Sequence, residues 1–290
     1  MNLRFNQSDA RSGLLLIGPT AIYTLLLLAA PIAALLVYSV ASRGPLGVET
    51  GPTLKNYAET LTDPIYRAIM LRTLIVSVTV TLATVVVAYP IAYFVSFHVH
   101  GSMKSFWLFL ITIPFWTSYI IRVFLWKVIL GYGGVISSAL ESTGIASGPQ
   151  SFMTNTTMTM IVILAHAYAP FAILPIFVTL EKIDRSLLEA GQDLGETRLG
   201  TFWRVTFPLS MPGVLASVLI VFIPTVGDYV TPDLIGSGKS PMISNLVEVQ
   251  LLKLNNRALG SAMAVVAMSV VALASLLFIF LNRKHLQRPQ

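Results

Sequence analysis

Over 290 residues the chain is 55% hydrophobic and 11% charged, with 19 Lys and Arg against 13 Asp and Glu and a formal charge of +6. Soluble domains carry roughly 25% charged residues, so this composition, with a mean hydropathy of +0.76, excludes an ordinary soluble fold and reads as an integral membrane protein. The chain lacks cysteine, which excludes a disulfide or thiolate-metal framework, and its basic residues are scattered between hydrophobic runs, a topology signal rather than a nucleic-acid patch.

A hydrocarbon core of about 30 Å takes about 20 helical residues to cross. Six windows meet that length: Leu14 to Val40, Thr73 to Phe97, Phe106 to Leu130, Thr157 to Leu180, Gly213 to Ile235 and Ser261 to Leu281. The first exceeds the roughly 7 to 15 apolar residues of a cleavable signal, so it is expected to stay in the membrane behind a cytoplasmic N-terminus, residues 1–13. An even number of spans puts both ends on one side. The basic pairs at span ends, Lys182 with Arg185 and Arg283 with Lys284, then lie inside together with a basic tail at 282–290, as the positive-inside rule asks.

Residues 41–72 read as an external segment, with turns at Gly44-Pro45 and Gly51-Pro52 and an amphipathic run from Leu54 to Met70 broken at Asp63-Pro64. A five-helix core follows over 73–281. Its first helix carries Pro90, and the short turn from His98 to Ser105 makes the second and third spans antiparallel neighbours. The third span holds Pro114-Phe115-Trp116-Thr117-Ser118-Tyr119 and then Arg122 and Lys127. A charge at the membrane centre costs roughly 2.5 to 3.5 kcal/mol. Lys127 lies near the outer end and snorkels; Arg122 is deeper, and either pairs with an acid or a carbonyl or stands beside Trp116 and Tyr119 on a solute path.

Gly131 to Asn155 reads as an outer loop, and Asn155-Thr156-Thr157 as the start of the fourth span. That span holds His166, for which a hydrogen-bonded packing role is the plainer reading and a proton relay the alternative. Pro224, Gly227, Asp228, Tyr229 and Pro232 predict a fifth span broken in its outer half, which a membrane tolerates only where the break is buried or lines a cavity. Asp228 is the candidate contact for a cationic solute, with the Tyr229 ring adding cation–π attraction; neutralising Arg122 is the competing role. Leu246 to Leu254 reads as an outer amphipathic helix. Gly236-Ser237-Gly238-Lys239-Ser240 imitates the end of a phosphate loop, but the motif's first glycine is replaced by Asp233 and Pro241 follows. With neither a full nucleotide motif nor a metal cluster nor a nucleophile elbow in the sequence, no catalytic residue and no cofactor is assigned to this chain.

The longest polar insert runs from Asp184 to Pro212. Ser186 with Glu189 three residues on has the form of a capping box, which predicts a helix from Leu187. Leu187, Leu188, Gly191 and Leu194 make one apolar stripe, with Gln192, Asp193 and Glu196 facing elsewhere. Gly195 suits the left-handed turn that closes a helix. Phe202, Trp203 and Val205 form a second apolar set, expected to end at Pro208 and Pro212.

Glu189-Ala190-Gly191, then Gly195, then nine residues to Val205-Thr206-Phe207-Pro208 resembles the Glu-Ala-Ala loop of binding-protein-dependent ABC importer permeases, with Gly191, Val205 and Phe207 replacing the pattern's second alanine, isoleucine and leucine. Asn56-Tyr57, the run from Pro114 to Arg122, and Gly227-Asp228-Tyr229 with Pro232-Asp233-Leu234 are similar to the polyamine-type branch of that family. The resemblance implies an all-α protein with six transmembrane helices, the type I importer fold, and a cytoplasmic coupling loop over 181–212. It implies ATPase coupling by Ser186, Leu187, Leu188, Glu189, Ala190, Gly191, Asp193, Leu194 and Gly195. The candidates for the solute path are Trp116, Tyr119, Arg122, Asp228 and Tyr229. ATP and Mg are expected on two copies of a cytoplasmic ATPase, beside a second, different permease chain and an extracytoplasmic binding protein, in a bacterial inner membrane. The expected cargo is spermidine or putrescine; an opine, an aminobutyrate-like solute or an aminophosphonate is the alternative within the same machinery. An ion- or proton-driven secondary transporter is compatible with His166, Arg122 and Asp228 but leaves the glycine-jointed loop unexplained.

Overall fold

The computed structural model describes residues 7–43, 49–148, 156–236 and 238–286; the expected turn at Gly44-Pro45 and the start of the fourth span at Asn155 lie outside them. Among the described residues six stretches are long and apolar enough to cross a membrane: Ile17–Ser39, Pro64–Phe97, Tyr119–Ser142, Thr156–Glu181, Arg198–Val226 and Arg257–Lys284. The chain forms two compact units, 1–63 with 249–266, and 64–248 with 267–290.

In the first unit, helix α1 (Gln7–Ser39) runs into a small antiparallel hairpin of β1 (Ala41–Arg43) and β2 (Glu49–Pro52), with Ala41 opposite Pro52. Helix α2 (Lys55–Thr62) is tied to the end of α1 by Asn56, whose Nδ2 donates to the carbonyls of Ser39 at 3.0 Å and Ala41 at 2.8 Å. The Ser39 and Tyr57 hydroxyls share a bond of 2.6 Å. Asn56-Tyr57 thus fastens α2 to the chain that precedes it.

The second unit is built on α3 (Pro64–Phe97), α7 (Thr156–Glu181) and α10 (Phe207–Val226), which bury Val76, Val80, Val95, Ile163, Leu164, Ile176 and Val221 against one another. Lipid is as apolar as leucine, so helices here gain from close approach at small residues rather than from hydrophobicity. Gly213 shows the requirement: a Cβ there would stand 2.4 Å from Thr179 Oγ1 and 2.6 Å from the Pro175 carbonyl. Nearby, Ser217 Oγ donates to the Ala172 carbonyl at 3.0 Å.

Four sequence expectations change. The run from Leu54 to Met70 breaks at Asp63-Pro64 as read, with α2 ending at Thr62, but its second half is the first part of the long helix α3 (Pro64–Phe97) rather than a separate surface segment. The window from Phe106 to Leu130 is two helices, α4 (Gly101–Thr112) and α5 (Tyr119–Leu130), separated by a 3-10 turn at Ile113–Trp116 and an extended Thr117. Pro114 has no N–H to continue the helix and its ring crowds the preceding turn; Thr117 covers the Pro114 carbonyl with its own hydroxyl at 2.9 Å. The stretch expected as an outer loop after Gly131 contains α6 (Val135–Ser142). Finally, Pro208 and Pro212 do not end the second loop helix. Helix α9 (Arg198–Thr201) passes through a π turn (Phe202–Thr206) straight into α10, where Pro208 sits in the first turn and Pro212 lies inside the helix. The wider turn lets Phe207 N–H reach the Phe202 carbonyl, and it gives room for Pro208, which has no N–H to donate to the turn before it.

Candidate coupling loop and solute cleft

Helix α7 ends at Glu181, and after a turn helix α8 (Arg185–Asp193) begins. Its cap is Asp184 rather than Ser186: Asp184 is extended (φ −64, ψ 124) and its Oδ1 accepts the Ser186 N–H at 3.0 Å. Ser186 therefore sits inside the helix, and the cap lies two residues before the expected one. Hydrogen bonds from the Ser186 backbone and hydroxyl hold the Asp184 carboxyl below the usual carboxylate range. Ile183, just before the cap, is buried, and Leu188 in the first turn packs on the same core cluster, the apolar pairing that fixes how a chain enters a helix.

The expected single stripe divides into two faces. Leu188 and Gly191 turn toward the protein, where a Cβ on Gly191 would meet Thr201 at 3.4 Å. Leu187, Ala190 and Leu194 turn away, Leu194 being 87% exposed. At the far end Gly195 has φ +87; its N–H donates to the Gln192 carbonyl at 2.9 Å and the Glu196 N–H to Gly191 at 3.1 Å, the paired closing bonds that require a left-handed residue. Thr197 then caps α9 through Gly200 N–H at 3.1 Å, and Glu196 pairs with Arg204. Leu199 and Trp203, four residues apart, are also exposed and extend the apolar outer surface. The sequence groups Trp203 with Phe202, but Phe202 is half-buried and its ring packs on Tyr89 and Tyr93 at 5.8 and 5.7 Å, while Trp203 faces outward.

A cleft of about 460 Å³ opens beside the break at Pro114, lined by Phe115, Thr117, Tyr119, Arg122, Ala167, Tyr168 and Phe171. Arg122 donates through Nη1 to the Ala167 carbonyl at 3.4 Å and through Nη2 to Thr117 at 3.3 Å, while its Nε is buried without a partner. Phe115 and Phe171 touch at 4.4 Å. Of the five path candidates, Tyr119 and Arg122 line this cleft; Trp116, Asp228 and Tyr229 do not. Tyr168 and Phe171 were missed, although their spacing from Ala167 puts all three on one face of α7.

The fifth span breaks after Val226, and α11 (Val230–Gly236) restarts it. Asp228 lies in the joint with 6% exposure. Its Oδ2 accepts from the Tyr119 hydroxyl at 3.0 Å, and its Oδ1 from the amides of Val230 at 3.1 Å and Thr231 at 3.4 Å. The expectation that it neutralises Arg122 does not hold, because both carboxylate oxygens are taken up in capping α11 and binding α5. Ser244 and Asn245, both in α12 (Ile243–Glu248), donate to the carbonyls of Asp228 at 2.6 Å and Tyr229 at 2.8 Å. His166 receives the Trp126 indole N–H on Nδ1 at 3.2 Å, the packing role read from the sequence.

A family model described as the inner membrane component of binding-protein-dependent transport systems matches residues 88–288. The chain belongs to this family. It is 35% identical over 238 residues to the spermidine/putrescine transport system permease protein PotB of Haemophilus influenzae, covering 80% of this chain and 82% of that one. The identity to PotB of Escherichia coli is 35% over 226 residues, 78% and 81% of the two chains; that to the Escherichia coli inner membrane ABC transporter permease protein YdcU is 32% over 223, 73% and 71%. Among solved structures, a bacterial ABC transporter involved in alginate import superposes with a TM-score of 0.73 at 18% identity over 96% of this chain and 98% of its own. The MetNI methionine transporter gives 0.57 at 16%, covering 77% and 99%. These likenesses establish the fold of an ABC importer permease. The protein is a multi-pass inner membrane permease, a transport component rather than an enzyme.

Proposed function

We propose that this permease is one of two transmembrane subunits of an ATP-driven importer of polyamines, spermidine or putrescine. Identity of 35% to two PotB permeases over about four fifths of the chain is the observation that carries the cargo. A different permease chain completes the path, two copies of a cytoplasmic ATPase supply ATP and Mg, and an extracytoplasmic binding protein delivers the solute. Both termini and the loop 181–212 lie in the cytoplasm, with residues 41–72 outside.

Coupling runs through α8. The exposed Leu187, Ala190 and Leu194, with Leu199 and Trp203 beyond, suit a hydrophobic groove on the ATPase, while Leu188 and Gly191 hold the helix to the permease. Glu189, Asp193 and Gly195 set the polar edge and end of that docking helix, and Ser186 supplies the amide that its cap engages. Nucleotide-driven closure of the ATPases moves α8 and turns the path from inward to outward. Swinging such an equilibrium from 1:99 to 99:1 takes about 5.5 kcal/mol of unequal binding to the two states.

The cleft beside Arg122 forms part of the path, with Tyr119, Tyr168 and the two phenylalanines presenting ring faces to an ammonium. Trp116, 82% exposed, and Tyr229, half exposed, serve the wall shared with the second permease. A second reading is favoured by one observation: Arg122 is the charged side chain among the cleft's lining residues, which suits a solute with an anionic group such as an aminobutyrate-like compound. Uptake by proteoliposomes holding the assembled transporter decides between them. Labelled spermidine should enter only with ATP and the binding protein, and γ-aminobutyrate should not compete. Competition by γ-aminobutyrate selects the second reading, and uptake without ATP overturns both.

A further inference from the structure

Helix α8 leaves α7 through Lys182 and Ile183 before its cap, and three side chains bridge that joint. Glu181, the last residue of α7, receives Lys104 Nζ from the first turn of α4 at 2.6 and 2.8 Å. Its Oε1 also accepts from Arg185 Nη2, on the first residue of α8, at 3.4 Å. The same Nη2 donates to the Ser96 carbonyl at 2.8 Å, and the guanidinium lies 4.0 Å from the centre of the Phe97 ring. Ser96 and Phe97 close α3. A helix's last carbonyls lack partners within it and carry the negative end of its dipole, so a guanidinium there satisfies both needs.

We infer that Glu181 and Arg185 are positioning residues for ATP-coupled transport, which fasten the root of α8 to the ends of α3, α4 and α7 so that a displacement of α8 moves all three. The inference rests on α8 being the ATPase-docking element. Without the clasp, the turn at Lys182 and Ile183 bends and α8 swings while the spans stay behind. Folding does not depend on it: the Lys104, Glu181 and Arg185 side chains are 20%, 35% and 42% exposed, and ion pairs at such exposure add little stability.

The test reads ATP hydrolysed and solute delivered in the same proteoliposomes, made from the permease with its ATPase, second permease and binding protein. Glu181→Gln and Arg185→Gln should each lower solute delivered per ATP by about fivefold to tenfold, the range of a modest coupling energy, with hydrolysis and melting temperature near wild type. Arg185→Lys, which keeps the charge and loses the planar stack on Phe97, should fall between. Adding Lys104→Met to Glu181→Gln should change nothing further, since the carboxylate that both partners share is already gone. Wild-type delivery per ATP in both Gln variants overturns the inference, and so does a proportional loss of hydrolysis and delivery with a lower melting temperature. Leu194→Asp separates this from the docking role of α8: if that variant still assembles and transports, the docking reading fails; if it loses the ATPase while the Gln variants stay fully coupled, the clasp alone fails.

Discussion

The loop around α8 and the joint around Asp228 both end and restart a helix, yet they are held in opposite ways. Beyond the clasp at its root, the loop relies on neighbours in sequence: Asp184 on Ser186, Gly195 on Gln192, Thr197 on Gly200. The joint relies on partners far along the chain: Tyr119 on Asp228, Ser244 and Asn245 on the carbonyls between α10 and α11. Water stands in for missing partners at an exposed loop, whereas a buried polar group without a partner costs about 1 to 3 kcal/mol. The contrast explains why the first region keeps an exposed face, while the second is locked into the fold.

That contrast is open to experiment, and the largest effect falls on the loop's outer surface. Leu187→Asp or Leu194→Asp should abolish uptake, a fall of about 100-fold or more, because ATPase binding is lost, with thermal stability within about 0.5 kcal/mol of wild type, as for other exposed substitutions; copurification of the ATPase checks it. Gly213→Val acts inside the bilayer, where the new side chain collides with Thr179 and Pro175, and overpacking of that kind costs roughly 1 to 3 kcal/mol, to be read as a lowered unfolding midpoint in detergent. Asp228→Ala should destabilise by about 1 to 3 kcal/mol by stranding two amides and a phenol, Asp228→Asn by less. Uptake should then fall for any cargo, charged or neutral; loss confined to cations would return Asp228 to the role of a solute ligand. Gly195→Ala, forced to keep φ +87, should cost about 1 to 2 kcal/mol, and hydrogen exchange at Glu196 reports it. Acid has the smallest effect. Because hydrogen bonding lowers the Asp184 pKa, its capping contribution is complete above the ordinary carboxylate pKa of about 3.9 and fades as pH falls through the lower folded value. Exchange at the Ser186 amide should therefore be protected equally at pH 5 and 7, and lose protection only in stronger acid.

What the residues disclose in advance follows the same division. Gly195 was legible because a glycine after an amphipathic turn has few other uses, and the break near Gly227 because Pro224 and Pro232 flank it. The cap was misplaced by two residues because Ser186 with Glu189 satisfies the box pattern as well as Asp184 satisfies the cap; buried Ile183 decides between them, and burial is not written in a local pattern. The third span reads as one apolar window, yet Pro114 divides it, a break stabilised by Thr117 and by aromatic partners on α7. The cleft was half visible. Arg122 and Tyr119 drew notice as polar groups in an apolar span, whereas Tyr168 and Phe171 belong to it only through the packing of α5 on α7.

From Arg198 to Val226 the backbone stays helical for 29 residues, about 43 Å at 1.5 Å per residue. A rod of that length magnifies: tilting its base by about 10 degrees displaces its tip by about 7 Å, roughly two thirds of a helix diameter. The tip is the residue before Gly227, so if the ATPase docks at α8 as proposed, a modest nudge at the base of this rod arrives as a large stroke at its far end.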